Sequence, residues 1–246
     1  MASLQPELIT ELAGFPVTNT ILATIAVDAV LLIMLYVFAR RITTAPTGTQ
    51  SFIEPILLYF YSLTEQISGS RAMKIFPWFA TFFIVIAVTN LFGLLPGITA
   101  FGIVDHHHDN HAIIPLFRAA TTDFNMTLAL GTVSVVATHF LSINILGAVE
   151  YTKKFLSFNP VNLFIGILEF VLEFVKIVSL SFRLFGNIFA GEVVLVTISG
   201  LFAFLAPLPF VMLETIIAFV QALVFSMLTM VFMAVLSTPH SEGGGH

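Results

Sequence analysis

Six ionisable side chains lie inside apolar stretches of this sequence, and they are the residues best placed to do chemistry. Glu169, Glu173, Lys176, Arg183 and Glu192 fall within one long apolar run, and Glu214 within the next. Centring a charged side chain in lipid costs about 2.5–3.5 kcal/mol on insertion scales, so these groups must face protein, water or one another. At about 100° per helical residue, Glu169, Glu173, Lys176, Arg183 and Asn187 fall within about 80° of each other and form one polar stripe. Glu192 is nine residues beyond Arg183 and projects nearly opposite it, while Glu214 and Gln221, seven apart, share a face of the following segment. A polar stripe opposed by separate carboxylates suits one surface that lines a partner and another that lines a water path. Internal salt-bridging, for example Glu173 with Lys176, is the plainer alternative for that pair. Arg183 resists it: a guanidinium stays charged, and no carboxylate sits three or four residues away. Its counter-charge must come from another helix or another chain. Gly186, Ala190 and Gly191 beside it would let a neighbouring helix approach closely, or serve internal packing alone.

The elements that carry these residues follow from composition. Of 246 residues, 58% are apolar, 9% charged and 27 are Phe, with a net charge of −5. A soluble domain carries roughly 25% charge, so a soluble enzyme, a nucleic-acid binder and a disordered tail are excluded. No cysteine is present, hence no disulfide, thiolate metal site or cysteine nucleophile. No cleavable leader is expected, because the residues before Val17 carry Glu7 and Glu11 and no Lys or Arg. About 20 apolar residues cross the hydrocarbon core as a helix. By that measure the chain is all-α and polytopic, a single membrane domain over 1–246 with five membrane helices at 17–41, 75–95, 123–150, 160–199 and 208–236. An outward loop at 98–122 and an inward tail at 237–246 complete it. Residues 51–67 have Phe52, Ile56, Phe60, Leu63 and Ile67 on one side and Glu54, Ser62 and Glu65 on the other. That segment reads as an amphipathic interfacial helix starting near Pro55, or as one packed against the spans. The fourth run is too long for an upright span: Val161 to Ser199 as one helix extends ~58 Å against a core of ~30 Å. It must break near Gly186 or Gly191, or lie strongly tilted.

Basic residues set the orientation. With the amino terminus outside, Arg40, Arg41, Arg71, Lys74, Lys153 and Lys154 fall on the cytoplasmic side and only Arg118 faces out. Trp78, Tyr36, Tyr59, Tyr61 and Tyr151 lie near that same inner side, as headgroup-level anchors would.

The segment Ser179-Leu180-Ser181-Phe182-Arg183-Leu184-Phe185-Gly186-Asn187-Ile188-Phe189-Ala190-Gly191-Glu192 resembles the signature of subunit a of F-type ATP synthases of the bacterial type. Asn90-Leu91-Phe92-Gly93-Leu94-Leu95-Pro96-Gly97, the stretch from Thr121 to Leu130, and Gln221-Ala222-Leu223-Val224-Phe225 resemble further motifs in the family's order. The resemblance implies that the last two helices lie strongly tilted against a ring of c subunits. It implies that Arg183 sits opposite the ring carboxylate and separates two aqueous half-channels. Asn187, Glu192, Glu214 and Gln221 would surround the outer half-channel and the arginine, with Glu169 and Glu173 where the inner one opens. It further implies a c-subunit ring, a b-subunit peripheral stalk and, through the stalk, the F1 sector as partners, in a bacterial plasma (inner) membrane. The chain itself would not be catalytic and would hold no cofactor, and no phosphate-binding Gly-x-x-x-x-Gly-Lys-Ser/Thr loop occurs in it. A departure is Glu214, a histidine position in many relatives, so that two carboxylates would share the outer path and one proton. Protons are favoured over sodium.

Weaker candidates lie elsewhere. His106, His107, His108 and His111, with Asp105 and Asp109, could ligate a metal ion, but a solvated outward loop is the reading adopted. Asp123, Asn125 and His139 are candidates for the mouth of the outer channel. Capping also explains Asp123, a satisfied buried imidazole also explains His139, and Asp28 calls for a polar partner within its span. A secondary transporter using Arg183 for an anionic substrate would need paired repeats and broken helices, and neither is found. A structural scaffold leaves the six intramembrane charges unexplained.

Overall fold

A computed structural model describes residues 7–12, 15–43, 48–95, 97, 102–104, 113–155, 160–201 and 207–238. Among these, the helices are α1 (Asn19–Arg40), α2 (Thr49–Ser68), α3 (Ala72–Leu94), α4 (Phe124–Leu146), α5 (Ala148–Phe155), α6 (Pro160–Leu201) and α7 (Pro207–Leu236). Four helical stretches, Asn19–Arg40, Thr49–Leu94, Phe124–Leu146 and Pro207–Leu236, are long and apolar enough to cross a membrane. The chain is a mostly helical, polytopic membrane protein.

Several boundaries differ from expectation. α2 begins at Thr49, so Pro55 lies inside the helix rather than at its start, where its ring removes the bond to the carbonyl of Ser51. The helix expected over 123–150 ends at Leu146, turns at Gly147 with φ +85°, and restarts as α5. α6 runs unbroken through Gly186 and Gly191 for 42 residues. Two short antiparallel ribbons were not anticipated: β1 (Leu8–Leu12) with β2 (Phe15–Thr18), and β3 (Gly102–Val104) with β4 (Ile113–Pro115). The loop of His106, His107, His108 and His111 lies outside the described residues.

The chain divides into two compact units. One comprises Met1–Ala45, Phe83–Thr127 and Phe182–Leu223. In it Thr18 caps α1 by accepting from the Ile21 amide, and Thr20 donates to the Asp123 carboxylate at 3.2 Å. Asp123 also accepts the Asn125 amide at 2.9 Å, capping α4. Asn90, buried on α3, donates to the Ala218 carbonyl of α7 at 3.2 Å and accepts from Thr121 at 2.7 Å. In lipid, helices associate through close packing and such polar bonds, which is why Ala218 and Ala222 are fully buried where α7 packs. Asp28 is exposed, and no partner for it occurs among the described residues.

The second unit comprises Pro46–Phe82, Leu128–Ser181 and Val224–His246. Ser134 of α4 and Thr229 of α7 share a buried hydrogen bond of 2.7 Å. The carboxyl end of α7 is held by cations: Arg71 donates to the Ala234 carbonyl and to Ser237 and Thr238, and Lys154 to the Leu236 carbonyl at 2.6 Å. Orphan carbonyls and the negative end of the helix dipole favour both contacts. Arg71 and Lys154, counted from sequence as inner-side charges, are therefore structural caps of α7.

Candidate functional site

In the first unit two of the residues expected around the outer path, Glu192 and Glu214, line one cavity, and Asn187 and Gln221 are not among its lining residues. The cavity has a volume of about 550 Å³ and is lined by Asn90, Arg118, Thr122, Glu192, Ser199 and Glu214, among others. Glu192 of α6 and Glu214 of α7 both face it. Arg118, assigned by sequence to the outward loop, is buried and forms an ion pair of 3.2 Å with Glu192. One oxygen of the Glu214 carboxyl is buried and accepts no hydrogen bond. One turn of α6 from that ion pair, Asn187 donates to the Gln221 carbonyl oxygen of α7 at 2.6 Å, while the Gln221 amide nitrogen is buried without a partner. The cavity thus brings two carboxyls and one guanidinium together, a set that can take up and release a proton without making or breaking any other bond.

Gly191 makes room for this arrangement, because a Cβ there would overlap the Glu214 carboxyl. The obstructing atoms end a flexible side chain, so Gly191→Ala should displace the carboxyl rather than unfold the helix. The expected outcome is a variant with unfolding free energy within about 1 kcal/mol of the parent, yet with proton-driven turnover lowered several-fold. Denaturation of the purified subunit beside vesicle assays checks both halves.

In the second unit the structure groups Glu173, Lys176, His139 and Tyr151. Lys176 donates to one Glu173 oxygen at 2.7 Å, and the other oxygen faces His139 Nε2 at 3.5 Å. The Tyr151 hydroxyl meets His139 Nδ1 at 2.6 Å. Burial, and then the negative charges of Glu173 and Glu169, push the Tyr151 phenol up, so it keeps its proton, and the direction of its bond to Nδ1 follows the imidazole tautomer. His139 therefore stands with Glu173, not with Asp123 and Asn125. The internal Glu173–Lys176 bridge weighed from sequence is formed, and the Lys176 ammonium also lies 4.8 Å from the centre of the Phe232 ring.

Arg183 and Glu169 differ from these. Glu169 is partly exposed on α6. Arg183 is exposed, flanked by Leu184 in the packed core and by Phe182, itself exposed. Among the described residues, no carboxylate pairs with Arg183.

Residues 20–234 match the family described as ATP synthase A chain. The chain belongs to that family. It is 30% identical to ATP synthase subunit a of Moorella thermoacetica over 95% of this chain and 97% of that protein. It is 32% identical to the subunit a of Geotalea uraniireducens over 87% of this chain and 86% of the relative. For the subunit a of Campylobacter jejuni subsp. doylei the identity is 33%, over 85% of each chain. Sequence reading missed Arg118, Asn90 and Tyr151 as partners in these groups. A lone basic residue in the loop that sequence reading placed outside, five positions before Asp123, was the one signal for Arg118.

Proposed function

We propose that this chain is the stator subunit of the membrane sector of a rotary ATP synthase and carries protons to and from a carboxylate on a ring of c subunits. The observation that carries the reading is Arg183: a permanent cation exposed on α6, without a counter-charge among the described residues. Its complement is a carboxylate on another chain. Asn187, Glu192, Glu214 and Gln221 form the outer half-channel, and Glu169 and Glu173 the inner one. A proton from outside neutralises the ring carboxylate, which then turns through lipid at low cost, since a neutral acid avoids most of the charge penalty. After nearly a full turn it meets the inner path and releases the proton. Arg183 holds the arriving carboxylate ionised through opposite-charge attraction and repels a cation that would leak straight across. Each charge moved through ~100 mV supplies about 2.3 kcal/mol, delivered by rotation to nucleotide sites on other chains.

The same reading has five spans, with α6 and α7 steeply tilted against the ring. It sets the amino terminus outside and the carboxyl terminus in the cytoplasm of a bacterial plasma membrane, and gives the chain a b-subunit stalk that joins it to F1. Length supports the tilt: α6 at 42 residues extends ~63 Å. Since the chain has no cysteine, single introduced cysteines test the ring face directly. Phe182→Cys, exposed beside Arg183, is expected to cross-link to a cysteine near the ring carboxylate in the assembled complex, and Leu184→Cys, fully buried, is not. Equal cross-linking at both positions, or at neither, would overturn the reading.

A further inference from the structure

Arg118 is held in the cavity by its neighbours on both sides. Phe117 packs edge-on against Phe92 of α3, with ring centres 6.0 Å apart. Ala119 sits so close to Gly93 that a Cβ at the glycine would overlap it. Thr122 donates to the Ala119 carbonyl at 2.7 Å, and Thr121 is tied to Asn90. The segment on either side of Arg118 is thus clamped to one helix, and the guanidinium, only 8% exposed, is directed at Glu192. Among the described residues that line the cavity, Arg118, Glu192 and Glu214 are the only charged or titratable ones.

A buried guanidinium cannot shed its proton, and a buried charge without a counter-charge is strongly unfavourable. A carboxylate of the cavity that pairs with it meets that need and is stabilised in its ionised form. The ion pair selects Glu192. Glu214 has a buried oxygen that accepts nothing, while its carboxyl rests against Gly191, next to Glu192 in sequence. The two acids are not equivalent, although sequence alone treats them as a pair sharing a proton.

We propose that Arg118 is a positioning residue of the outer path: by pairing with Glu192 it holds that carboxylate ionised against one wall and leaves Glu214 as the carboxyl that binds and passes the transported proton. The proposal rests on the stator reading above. The step conserves charge and atoms. A hydronium ion arriving from outside gives its proton to the ionised Glu214 carboxyl and leaves as water, Glu214 gives the proton onward to the ring carboxylate and is ionised again, and the Arg118–Glu192 pair is unchanged throughout.

The test uses the complete ATP synthase reconstituted in liposomes, with Arg118→Gln, Arg118→Lys, Glu192→Gln, Glu214→Gln and the double variant Arg118→Gln/Glu192→Gln. Arg118→Gln leaves Glu192 without its counter-charge, and proton-driven synthesis is expected to fall about tenfold. Its dependence on outer pH should change from one titration step to two, as the two acids come to share a proton. Arg118→Lys keeps the charge and should stay within about threefold of the parent. The double variant replaces an ion pair by a neutral pair and should recover to within about threefold. Glu214→Gln should lose about 100-fold or more, as removal of a proton carrier does. The proposal is overturned if Arg118→Gln matches the parent, if the double variant is no better than Arg118→Gln, or if Glu214→Gln turns over normally. Should Arg118→Gln fail to assemble, recovery of assembly in the double variant supports the pair and continued failure overturns it. Loss of this proposal would leave the behaviour of Arg183 variants untouched, so the two readings fail separately.

Discussion

Arg183→Ala is expected to abolish proton-driven ATP synthesis by the reconstituted complex while ATP hydrolysis by the detached F1 sector continues at its normal rate. A guanidinium about 4 Å from a carboxylate at an effective dielectric constant of about 20 contributes about 4 kcal/mol. On the stator reading, removing it takes away the term that ionises the ring carboxylate as it passes, a loss of about 10²–10³ in rate. On the same reading it also removes the barrier between the two proposed half-channels. Vesicles carrying the variant should therefore dissipate an imposed proton gradient at least as fast as the parent while making no ATP. Arg183→Lys retains the charge but replaces a planar fork by a compact ammonium on a flexible stem, and should recover less than about a tenth of parental synthesis. Among the described residues no other charged side chain shares the exposed side of α6 at that level: Glu192, nine positions on, is engaged by Arg118. Coupled synthesis retained in Arg183→Ala would refute the stator mechanism.

What could be read in advance was whatever the bilayer or the helical period enforces locally. Arg40 closes α1 and Leu94 closes α3 within a residue of where their apolar runs stop, because lipid tolerates about 20 residues of helix and little else. The stripe from Glu169 to Asn187 was visible because helical periodicity fixes which side chains are neighbours. What hydropathy cannot register is a turn made of apolar residues. Leu146-Gly147-Ala148-Val149 reads as continuous span, yet the positive φ of Gly147 ends α4 and starts α5. That turn carries Tyr151, which then reaches back to His139.

Long-range pairing was equally invisible. Arg118 and Glu192 are 74 residues apart, Asn90 and Ala218 are 128 apart, and no local pattern connects them. The same limit applies to assignments made by elimination. Arg118 was counted only as the one basic residue facing out once the amino terminus was placed outside, and Arg71 and Lys154 were counted as inner-side cations although both also cap α7. In each case the residue type was informative, and the partner decided the role.

Glu173 is where a structural and a functional role compete most directly, and its variants separate them. The carboxyl is buried, with one oxygen on the Lys176 ammonium and the other facing His139. Glu173→Gln leaves Lys176 opposite a neutral amide, and breaking a buried pair from one side costs about 3–5 kcal/mol. Lys176 is a quarter exposed and keeps its contact with Phe232, which lowers the expected loss to about 2–3 kcal/mol. Adding Lys176→Met removes the stranded charge and should return stability to within about 1 kcal/mol of the parent, a coupling that a denaturation double-mutant cycle measures directly. Proton traffic should not follow stability. If Glu173 passes protons from the ring toward the cytoplasm, both Glu173→Gln and the double variant should synthesise ATP about tenfold more slowly than the parent. His139, whose Nε2 lies 3.5 Å from the carboxyl, would face an amide that takes up no proton. A double variant that recovers stability and synthesis together would make the Glu173–Lys176 bridge a packing device and leave Glu169 alone on the inner path. Recovery of stability without recovery of synthesis would fix Glu173 as a member of that path, since the fold would then be intact and only the exchangeable proton missing.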